Sequence, residues 1–393
     1  MTSKPPITSH GFWRCDRCGT PNPSAPYVLT CLGCGSPRPP GGTETKATTF
    51  DATPKRSGTR SRIWLHVSVA AYGVVVIAAI LSVQIVGDSF WPGLILLMSP
   101  RWLFLAPALP IALMAWRRKR PLVMGIVVIE VLLVLGPLMG FVVPWGLLHS
   151  DRRQGPSLRV MTLNRGGGTN DVARLTRYLE RHKIDVVCFQ EFRPDPSLDA
   201  YFDSVQWHRD STRSIASRYP IVAEMPRATE RNLDQNRYTM TCFRTRIKGP
   251  GGREFILASI HLPTLRPGLN RFFAGDIEGL RLQSDWWHQE SERLLDVLTQ
   301  TGDVPTIVAG DFNMPIESDS LSSLSTLGGF QSAFDEAGWG WGYTRPASLP
   351  WVRIDHIFAP TDWKVRRCWV GPSFGSDHRS LVAEVAFPPL KSE

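Results

Sequence analysis

The chain has 393 residues, of which 43% are hydrophobic and 20% are charged. These values exclude a small disulfide-stapled scaffold, a wholly disordered protein and a coiled coil. The net charge of +9 suggests a nucleic-acid partner, but the excess lies entirely in residues 1–150, which carry 14 basic and 5 acidic residues. Residues 151–393 carry 30 of each and therefore have no basic surplus to attract a polyanion.

Four of the seven cysteines form two Cys-x-x-Cys pairs separated by twelve residues, namely Cys15, Cys18, Cys31 and Cys34. This spacing predicts a Zn²⁺ site with four thiolate ligands, which replaces a hydrophobic core in a small domain at residues 1–35. Both pairs lie in Gly- and Pro-rich segments, which disfavours a redox-active pair. With Trp13 and Asn22 the segment resembles the zinc fingers of Ran-binding proteins, and a generic zinc ribbon is the alternative. Whether it binds protein or RNA stays open.

Residues 36–62 are rich in Pro, Gly, Thr and basic residues and are predicted to form a flexible basic linker. Residues 63–148 contain three apolar stretches, which predict three transmembrane helices. The first, 63–86, has no charged residue. The second, about 94–116, contains three prolines and Arg101, which is expected to snorkel to an interface. The third, 122–148, has a single charged residue, Glu130.

Basic residues lie before the first stretch, at 55–62, and between the second and third, at 117–120. Short segments with such charges stay in the cytoplasm, so we predict an integral protein of the cell membrane with a cytoplasmic N-terminus. Three crossings then place the rest of the chain outside the cytoplasm. Arg152 and Arg153 argue weakly against this side, and a re-entrant second stretch would reverse it.

From residue 157 to residue 388, short apolar runs alternate with amphipathic and turn-rich segments, which predicts an α/β domain. Two segments have helical periodicity, 171–182 and 285–300. Six runs are predicted strands: 158–163, 184–190, 255–260, 306–309, 352–358 and 381–386.

Carboxylate, amide and imidazole side chains follow these runs, at the edge where an open α/β sheet presents its ligand crevice. They are Asn164, Glu191, His261, Asp311, Asn313, Asp377 and His378. One such residue is ordinarily a strand-end cap. Several of them together predict one shared crevice.

The motifs stand in an order that resembles the endonuclease/exonuclease/phosphatase superfamily, which has the deoxyribonuclease-like fold. The resemblance covers essentially all of residues 158–387 and implies a four-layer sandwich of two mixed β-sheets flanked by helices, with Mg²⁺-dependent phosphoesterase activity. The motifs are Leu-Asn164, Gln190-Glu191, Ser217 to Pro220, Ile260 to Leu262, Gly310 to Asn313, Arg353 to His356 and Ser376 to His378.

By resemblance, Glu191 is the main ligand of Mg²⁺ or Mn²⁺, a hard cation that prefers carboxylate oxygens. Asn164 is expected to hold the metal or a phosphate oxygen through its amide, and Asp377 to act as a further, water-mediated ligand. Arg218, in the Ser-Arg turn of the family, is a candidate substrate contact, with a structural role as the alternative.

The expected catalytic residues are His261, Asp311, Asn313, Asp355 and His378. Asp355 would orient His378 over the scissile phosphorus through a hydrogen bond, as in a hydrolase triad. Asp311 and Asn313 would position the attacking water and a non-bridging oxygen, and His261 would donate to the phosphate or the leaving oxygen. Either His378 or Asp311 can be the base.

The favoured function is a membrane-tethered phosphodiesterase or phosphatase that acts on lipid head groups or small phosphoesters. A linker of about ten residues after residue 148 supports this, since it holds the domain within roughly 35 Å of the bilayer. The alternatives are a DNA or RNA nuclease, and an inactive membrane scaffold that binds partners through the zinc finger. An inactive domain is expected to have lost a motif residue, and none is missing.

Overall fold

The computed structural model describes residues 12–24, 28–38, 57–144, 155–166, 171–228, 239–300 and 302–389. These residues divide into two units, one that ends at Arg62 and one that begins at Ile63. The segment predicted to follow the third apolar stretch, and most of the predicted linker at 36–62, lie outside the described residues. The described apolar stretches and the α/β domain belong to the same unit.

The first unit contains an antiparallel hairpin of β1 (Phe12–Arg14) and β2 (Pro21–Pro23). The two Cys-x-x-Cys segments form equivalent turns, in which Gly19 and Gly35 adopt positive φ and donate their N–H groups to the carbonyls of the first cysteine of each pair. Only Trp13 and two cysteines are buried hydrophobic residues among those described here. A core of this size is too small to hold a fold by itself.

The second unit begins with the apolar block, residues 63–142, whose helices were expected from their apolar composition. The helices are α1 (Ser57–Leu81), extended by a π-helical turn to Val86; α2 (Trp91–Met98); α3 (Ala108–Arg117), preceded by a 3₁₀ turn at Arg101–Leu105; and α4 (Pro121–Leu133), extended by a π-helical turn to Leu138.

Two segments of the apolar block, Ile63–Val86 and Pro121–Leu138, are long and apolar enough to cross a bilayer. The second predicted stretch is not a single straight helix. It consists of two helical segments, Trp91–Met98 and Arg101–Arg117, with a bend of 89° between them. The apolar block has a third membrane span only if these two segments together form one span. Pro100 lies at the bend, where it cannot donate a helical hydrogen bond.

The sequence suggested that Arg101 snorkels to an interface, and this prediction was wrong. The Arg101 side chain is 2% exposed and lies 2.7 Å from the carboxylate of Glu317 in the α/β domain. It also donates to the carbonyl of Leu138 at 2.9 Å. A buried guanidinium needs a carboxylate partner, and this one lies 216 residues away in sequence.

Among the described residues of the second unit, twelve strands, β3 to β14, form two six-stranded sheets. The strand order is β11-β12-β10-β9-β8-β7 in one sheet and β13-β14-β3-β4-β6-β5 in the other. Within the sheets, β9 with β10 and β3 with β4 are parallel pairs and the other pairs are antiparallel, so both sheets are mixed. The strands are β3 (Ser157–Asn164), β4 (Val186–Gln190), β5 (His208–Arg209), β6 (Ile215–Ser217), β7 (Ile221–Glu224), β8 (Thr241–Lys248), β9 (Glu254–His261), β10 (Thr306–Asp311), β11 (Phe330–Ser332), β12 (Asp355–Pro360), β13 (Lys364–Val370) and β14 (Leu381–Ala386).

The two sheets pack face to face, and their inner faces share one core of aliphatic and aromatic side chains. Helices cover both outer faces, which gives the predicted four-layer sandwich. The helices of the domain are α5 (Val172–Arg181), α6 (Pro196–Ser204), α7 (Arg266–Phe273), α8 (Ile277–Thr299), α9 (Asp319–Thr326) and α10 (Ala333–Ala337).

All six predicted strands are present, although β12 begins at Asp355 rather than Val352. The helix predicted at 285–300 begins earlier, at Ile277, where Asp276 accepts a hydrogen bond from the Gly279 N–H as its N-cap. Six strands of the domain were not predicted: the short β5, β6, β7 and β11, and the longer β8 and β13. The residues of β8 and β13 alternate between apolar and basic side chains, so neither forms a continuous apolar run.

Candidate active site

The register of the strands brings the predicted site residues together. Asp311, the last residue of β10, pairs with His261 at the end of β9 and with Asp355 at the start of β12. In the other sheet Asn164 ends β3 and pairs with the last residue of β4, which Glu191 follows. Four strands from both sheets therefore end at one place, as the sequence predicted, and β12 begins there.

The buried carboxylate of Asp311 lies at the centre of this cluster. Its Oδ2 accepts a hydrogen bond from Nδ2 of Asn164 at 2.9 Å, and it lies 3.7 Å from Nε2 of both His261 and His378. Its Oδ1 accepts from the backbone N–H of Asn313 at 2.8 Å. Burial raises the pKa of Asp311, while His378 opposes this rise.

Asn164 links the two carboxylates of the cluster. The same Nδ2 donates to Oε1 of Glu191 at 3.1 Å, so one amide nitrogen serves Glu191 and Asp311. A side chain at Gly166 would overlap the Glu191 carboxylate, so the absence of a Cβ there makes room for it. A network from Thr162 through Gln190 to Ser259 joins the two sheets directly beneath.

Two residues of the cluster have left-handed backbones, Glu191 with φ of 48° and Asn313 with φ of 54°. Non-glycine residues adopt this conformation rarely, and it concentrates at functional sites. In Asn313 it allows the side chain to donate to the carbonyl of Leu262 at 2.9 Å while the backbone N–H binds Asp311. The loop after β10 is thus fixed to the end of β9.

His378 is held by Asp355, as predicted. Its Nδ1 lies 2.9 Å from Oδ2 of Asp355, and this leaves Nε2 facing Asp311. Burial by itself lowers the pKa of His378, but the carboxylates of Asp355 and Asp311 outweigh it and raise the pKa to about 9. The Ser376 hydroxyl accepts from the His378 N–H and donates to the Asn164 carbonyl, which ties this loop to β3.

Asp377 lies at the mouth of the cleft rather than in its centre. Its carboxylate is 43% exposed and pairs with Arg345 at 2.8 Å. Both residues line a cleft of about 500 Å³ together with Glu191, His261, Asp311, Asn313, His378 and Arg266. Arg345 and Arg266 were not recognised in the sequence, because neither belongs to an apolar run or a motif.

Arg218 is not brought to the cluster. Its Nε donates to the carbonyl of Ile184, which precedes β4, and its guanidinium lies over the ring of Trp207. Glu191 follows the other end of the same strand, roughly 20 Å away at about 3.3 Å per residue. Arg218 therefore lies outside the cluster, and its contacts fit the structural alternative.

The donor set fits a hard divalent cation. The carboxylates of Glu191 and Asp311 both lie within hydrogen-bond distance of the amide nitrogen of Asn164. The nearest positive charges to these two carboxylates would come from the imidazoles of His261 and His378. Oxygen ligands of this kind suit Mg²⁺ or Mn²⁺. Asp311, Asp355 and His378 also lie within 4.8 Å of one another, but the hydrogen bond between Asp355 and His378 already occupies that pair.

The four N-terminal cysteines also converge. Their sulfur atoms lie within 4.8 Å of one another, and two of the pairs, Cys15 with Cys34 and Cys18 with Cys31, are 3.6 and 3.5 Å apart. The buried Asn22 side chain donates to the Cys31 sulfur and accepts from the N–H of Leu32. Four cysteine sulfurs this close together could hold one metal ion.

The sequence profile of the Endonuclease/Exonuclease/phosphatase family matches residues 161–378, more than half of the chain. This chain belongs to that family. The matched residues include every member of the cluster around Asp311, and leave the apolar block and the cysteine unit outside. A comparison with curated proteins returned no match.

Several solved structures are similar to this chain. A Bacteroides thetaiotaomicron family member shares 18% identity over 60% of this chain and 100% of its own, with a TM-score of 0.46. The mannosyl-6-phosphatase of the same organism shares 17% identity over 58% and 100%, with a TM-score of 0.43. D. rerio TDP2, complexed with a single-strand DNA product, shares 18% over 59% and 99%, with a TM-score of 0.43.

Proposed function

We propose that this chain is a membrane-anchored hydrolase that uses one divalent cation, Mg²⁺ or Mn²⁺, to cleave a phosphoester by in-line attack of water. The observation that carries the proposal is the convergence of five strand ends on Asp311 in one cleft. A scaffold that had lost activity would not need to keep this buried polar cluster, which costs free energy unless every group is paired.

Glu191 and Asn164 would hold the cation, with Asp311 at their side and Asp377 acting through a bound water. Glu191 is suited to this role because its side chain is 47% exposed in the cleft, whereas Asp311 is 1% exposed. The cation would neutralise charge on the phosphoryl and leaving oxygens. Asn164 would offer the cation its amide oxygen, which accepts a hydrogen bond from the Gly166 N–H at 2.8 Å.

His378 and Asp311 would act on the water and the phosphoryl group. Asp355 fixes the imidazole so that Nε2 points into the cleft, as an orienting carboxylate does in a triad. Two groups then lie beside an attacking water, His378 Nε2 and Asp311 Oδ2. With a pKa of about 9 the imidazole is protonated at neutral pH and would donate to the phosphoryl group, so Asp311 would accept the proton of the water. His261, 28% exposed at the cleft, would donate to a phosphate or leaving oxygen, and Asn313 would position a non-bridging oxygen.

The direction of the helices supports an external catalytic domain. A side chain at Gly73 would meet Glu130, and Gln84 lies beside Pro137, so α1 and α4 run in the same direction. Both end at the α/β domain, while the basic turn at 117–120 lies at the other end of α3 and α4. With basic residues in the cytoplasm, the cleft lies on the opposite side of the membrane.

The cysteine unit would bind Zn²⁺ through Cys15, Cys18, Cys31 and Cys34. The support is the convergence of the four sulfurs and the lack of any sizeable core among the described residues of the unit. Such a site supplies folding free energy directly. The unit would then serve as a binding module for protein or RNA on the cytoplasmic side.

We expect Glu191→Ala and His378→Ala each to lower kcat/KM by a factor of about 10² to 10⁴, because each removes a group that acts on the reacting phosphate. The assay uses the full chain with Mg²⁺ or with EDTA, against p-nitrophenyl phosphate esters, phosphatidylinositol vesicles, sphingomyelin vesicles and plasmid DNA. Arg218→Ala is the matched control and should retain activity. Undiminished activity in the Glu191→Ala/His378→Ala double variant would refute the proposal.

A reporter that fluoresces only in the cytoplasm should distinguish the side of the membrane on which the basic turn lies from the side on which the catalytic domain lies. We expect fluorescence for a fusion in the basic turn after Arg118 and none for a fusion at Glu393, because three crossings separate the N-terminus from the cleft. Fluorescence at Glu393 would mean an even number of crossings and a re-entrant α2–α3 segment.

We expect one equivalent of zinc per purified chain, lost in Cys15→Ala/Cys31→Ala, as measured by elemental analysis. The cleft is built from other residues, so this variant should retain hydrolase activity. Cys188→Ala, a buried cysteine of the α/β core, is the control and should keep its zinc. Equal zinc content in the double variant and the wild type would contradict the assignment.

A further inference from the structure

Three segments that form the mouth of the cleft also rest on the apolar block. After β10, Asn313 lines the cleft, and four residues later Glu317 pairs with Arg101. The next two residues, Ser318 and Asp319, bind the carboxylate of Asp88. The cleft therefore opens beside the apolar block and not on the far side of the domain.

The loop that carries Arg345 makes the same connection. Arg345 lines the cleft and pairs with Asp377. Shortly before it in the chain, Trp341 and Tyr343 donate to the carbonyls of Leu135 and Met139 at the end of the third apolar segment. The loop thus spans from the cleft to the carboxyl end of the apolar block.

The third segment is α7, whose last two residues, Phe272 and Phe273, extend a row of aromatic rings that begins in the apolar block. We call this row of four rings the aromatic row: Phe90, Trp91, Phe272 and Phe273. Successive ring centroids lie 5.9, 5.5 and 5.5 Å apart, so the row crosses without a break from the apolar block to α7 of the catalytic domain. The inner two rings pack against the domain core, while Phe90 is 51% and Phe273 is 78% exposed.

The exposed end of the row is an apolar surface with no covering among the described residues. It follows directly on the first apolar segment, Ile63–Val86, since Phe90 comes four residues after Val86 and Ile85 is 72% exposed. Aromatic side chains that extend an apolar belt in this way are typical of the head-group region of a bilayer. This continuity identifies the bilayer as the occupant of the surface.

The same helix, α7, joins the aromatic row to the cleft. Its first residue, Arg266, lines the cleft, and its last residue is Phe273. At 1.5 Å per residue the two ends lie roughly 10 Å apart. This is about the depth over which an interfacial helix meets the boundary between head groups and acyl chains.

We propose that the aromatic row lies in the head-group region and that the substrate is a lipid-linked phosphoester, presented to the cleft along α7 from the bilayer. The inference rests on the proposed hydrolase function and names its substrate class. The acyl or prenyl part of the substrate stays in the membrane beside Phe273, and Arg266 faces the phosphate as it enters. The exposure of Phe273 agrees with this placement, because a ring that is 78% exposed adds little to the stability of the fold but can bury its apolar surface in a bilayer.

The test compares one head group in two forms, with the full chain reconstituted in vesicles. Dioleoyl phosphatidic acid and dioleoyl phosphatidylinositol are presented in the bilayer, and their water-soluble dibutyryl forms are presented in solution. Phe273→Ser should lower kcat/KM for the bilayer forms by about tenfold or more, because it removes one large apolar side chain from an apolar environment. It should change kcat/KM for the dibutyryl forms by less than twofold.

Val222→Ser is the matched control, since Val222 is 46% exposed on the edge strand β7 outside the aromatic row. It should change neither kcat/KM value. Equal effects of Phe273→Ser on both forms, or no effect on either, would overturn the inference, as would faster cleavage of plasmid DNA than of both lipids. If wild-type protein cleaved neither form but still hydrolysed p-nitrophenyl phosphate esters or plasmid DNA, the lipid-linked substrate class would be overturned and the proposed hydrolase function would stand. If it hydrolysed none of these substrates, or Glu191→Ala cleaved them as well as wild type, the proposed hydrolase function itself would fail.

Discussion

The burial of the Asp311 carboxylate is the constraint on which the rest of the site depends. A carboxylate that is 1% exposed is tolerated only if its oxygens are hydrogen-bonded and its charge is compensated. Here the amide of Asn164, the N–H of Asn313 and two imidazoles do this, and each comes from a different strand end or loop. The geometry that compensates the charge also places metal-binding and proton-transferring groups around one point.

The same loops that surround this charge couple the catalytic domain to the apolar block. The buried pair of Arg101 and Glu317 and the hydrogen bonds of Trp341 and Tyr343 fix the loops after β10 and before β12 against the ends of the apolar segments. Separating a buried ion pair leaves an uncompensated buried charge, which costs several kcal/mol. The apolar block and the domain are therefore held in one arrangement. In the proposed function this fixes the distance of the cleft from the bilayer.

The sequence predicted what depends on local pattern. Continuous apolar runs gave β3, β4, β9, β10, β12 and β14, and the polar residues after them gave the cluster around Asp311. It failed where a contact is made across the fold. Arg101 was expected at an interface because its partner Glu317 is distant in sequence. A turn motif does not specify its end of the sheet, so the position of Arg218 outside the cluster could not be predicted either. The aromatic row joins residues about 180 positions apart, so no window of sequence contains it.

The most direct test of the account is the position of a single bound cation. Crystals of the full chain grown with Mn²⁺ should show one anomalous scattering peak in the cleft, within about 2 to 2.6 Å of a Glu191 carboxylate oxygen and close to Asn164 and Asp311. His378 should remain hydrogen-bonded to Asp355 in the same crystals. A cleft without a manganese peak, or a peak that replaces the hydrogen bond between Asp355 and His378 and leaves Glu191 unbound, would contradict it.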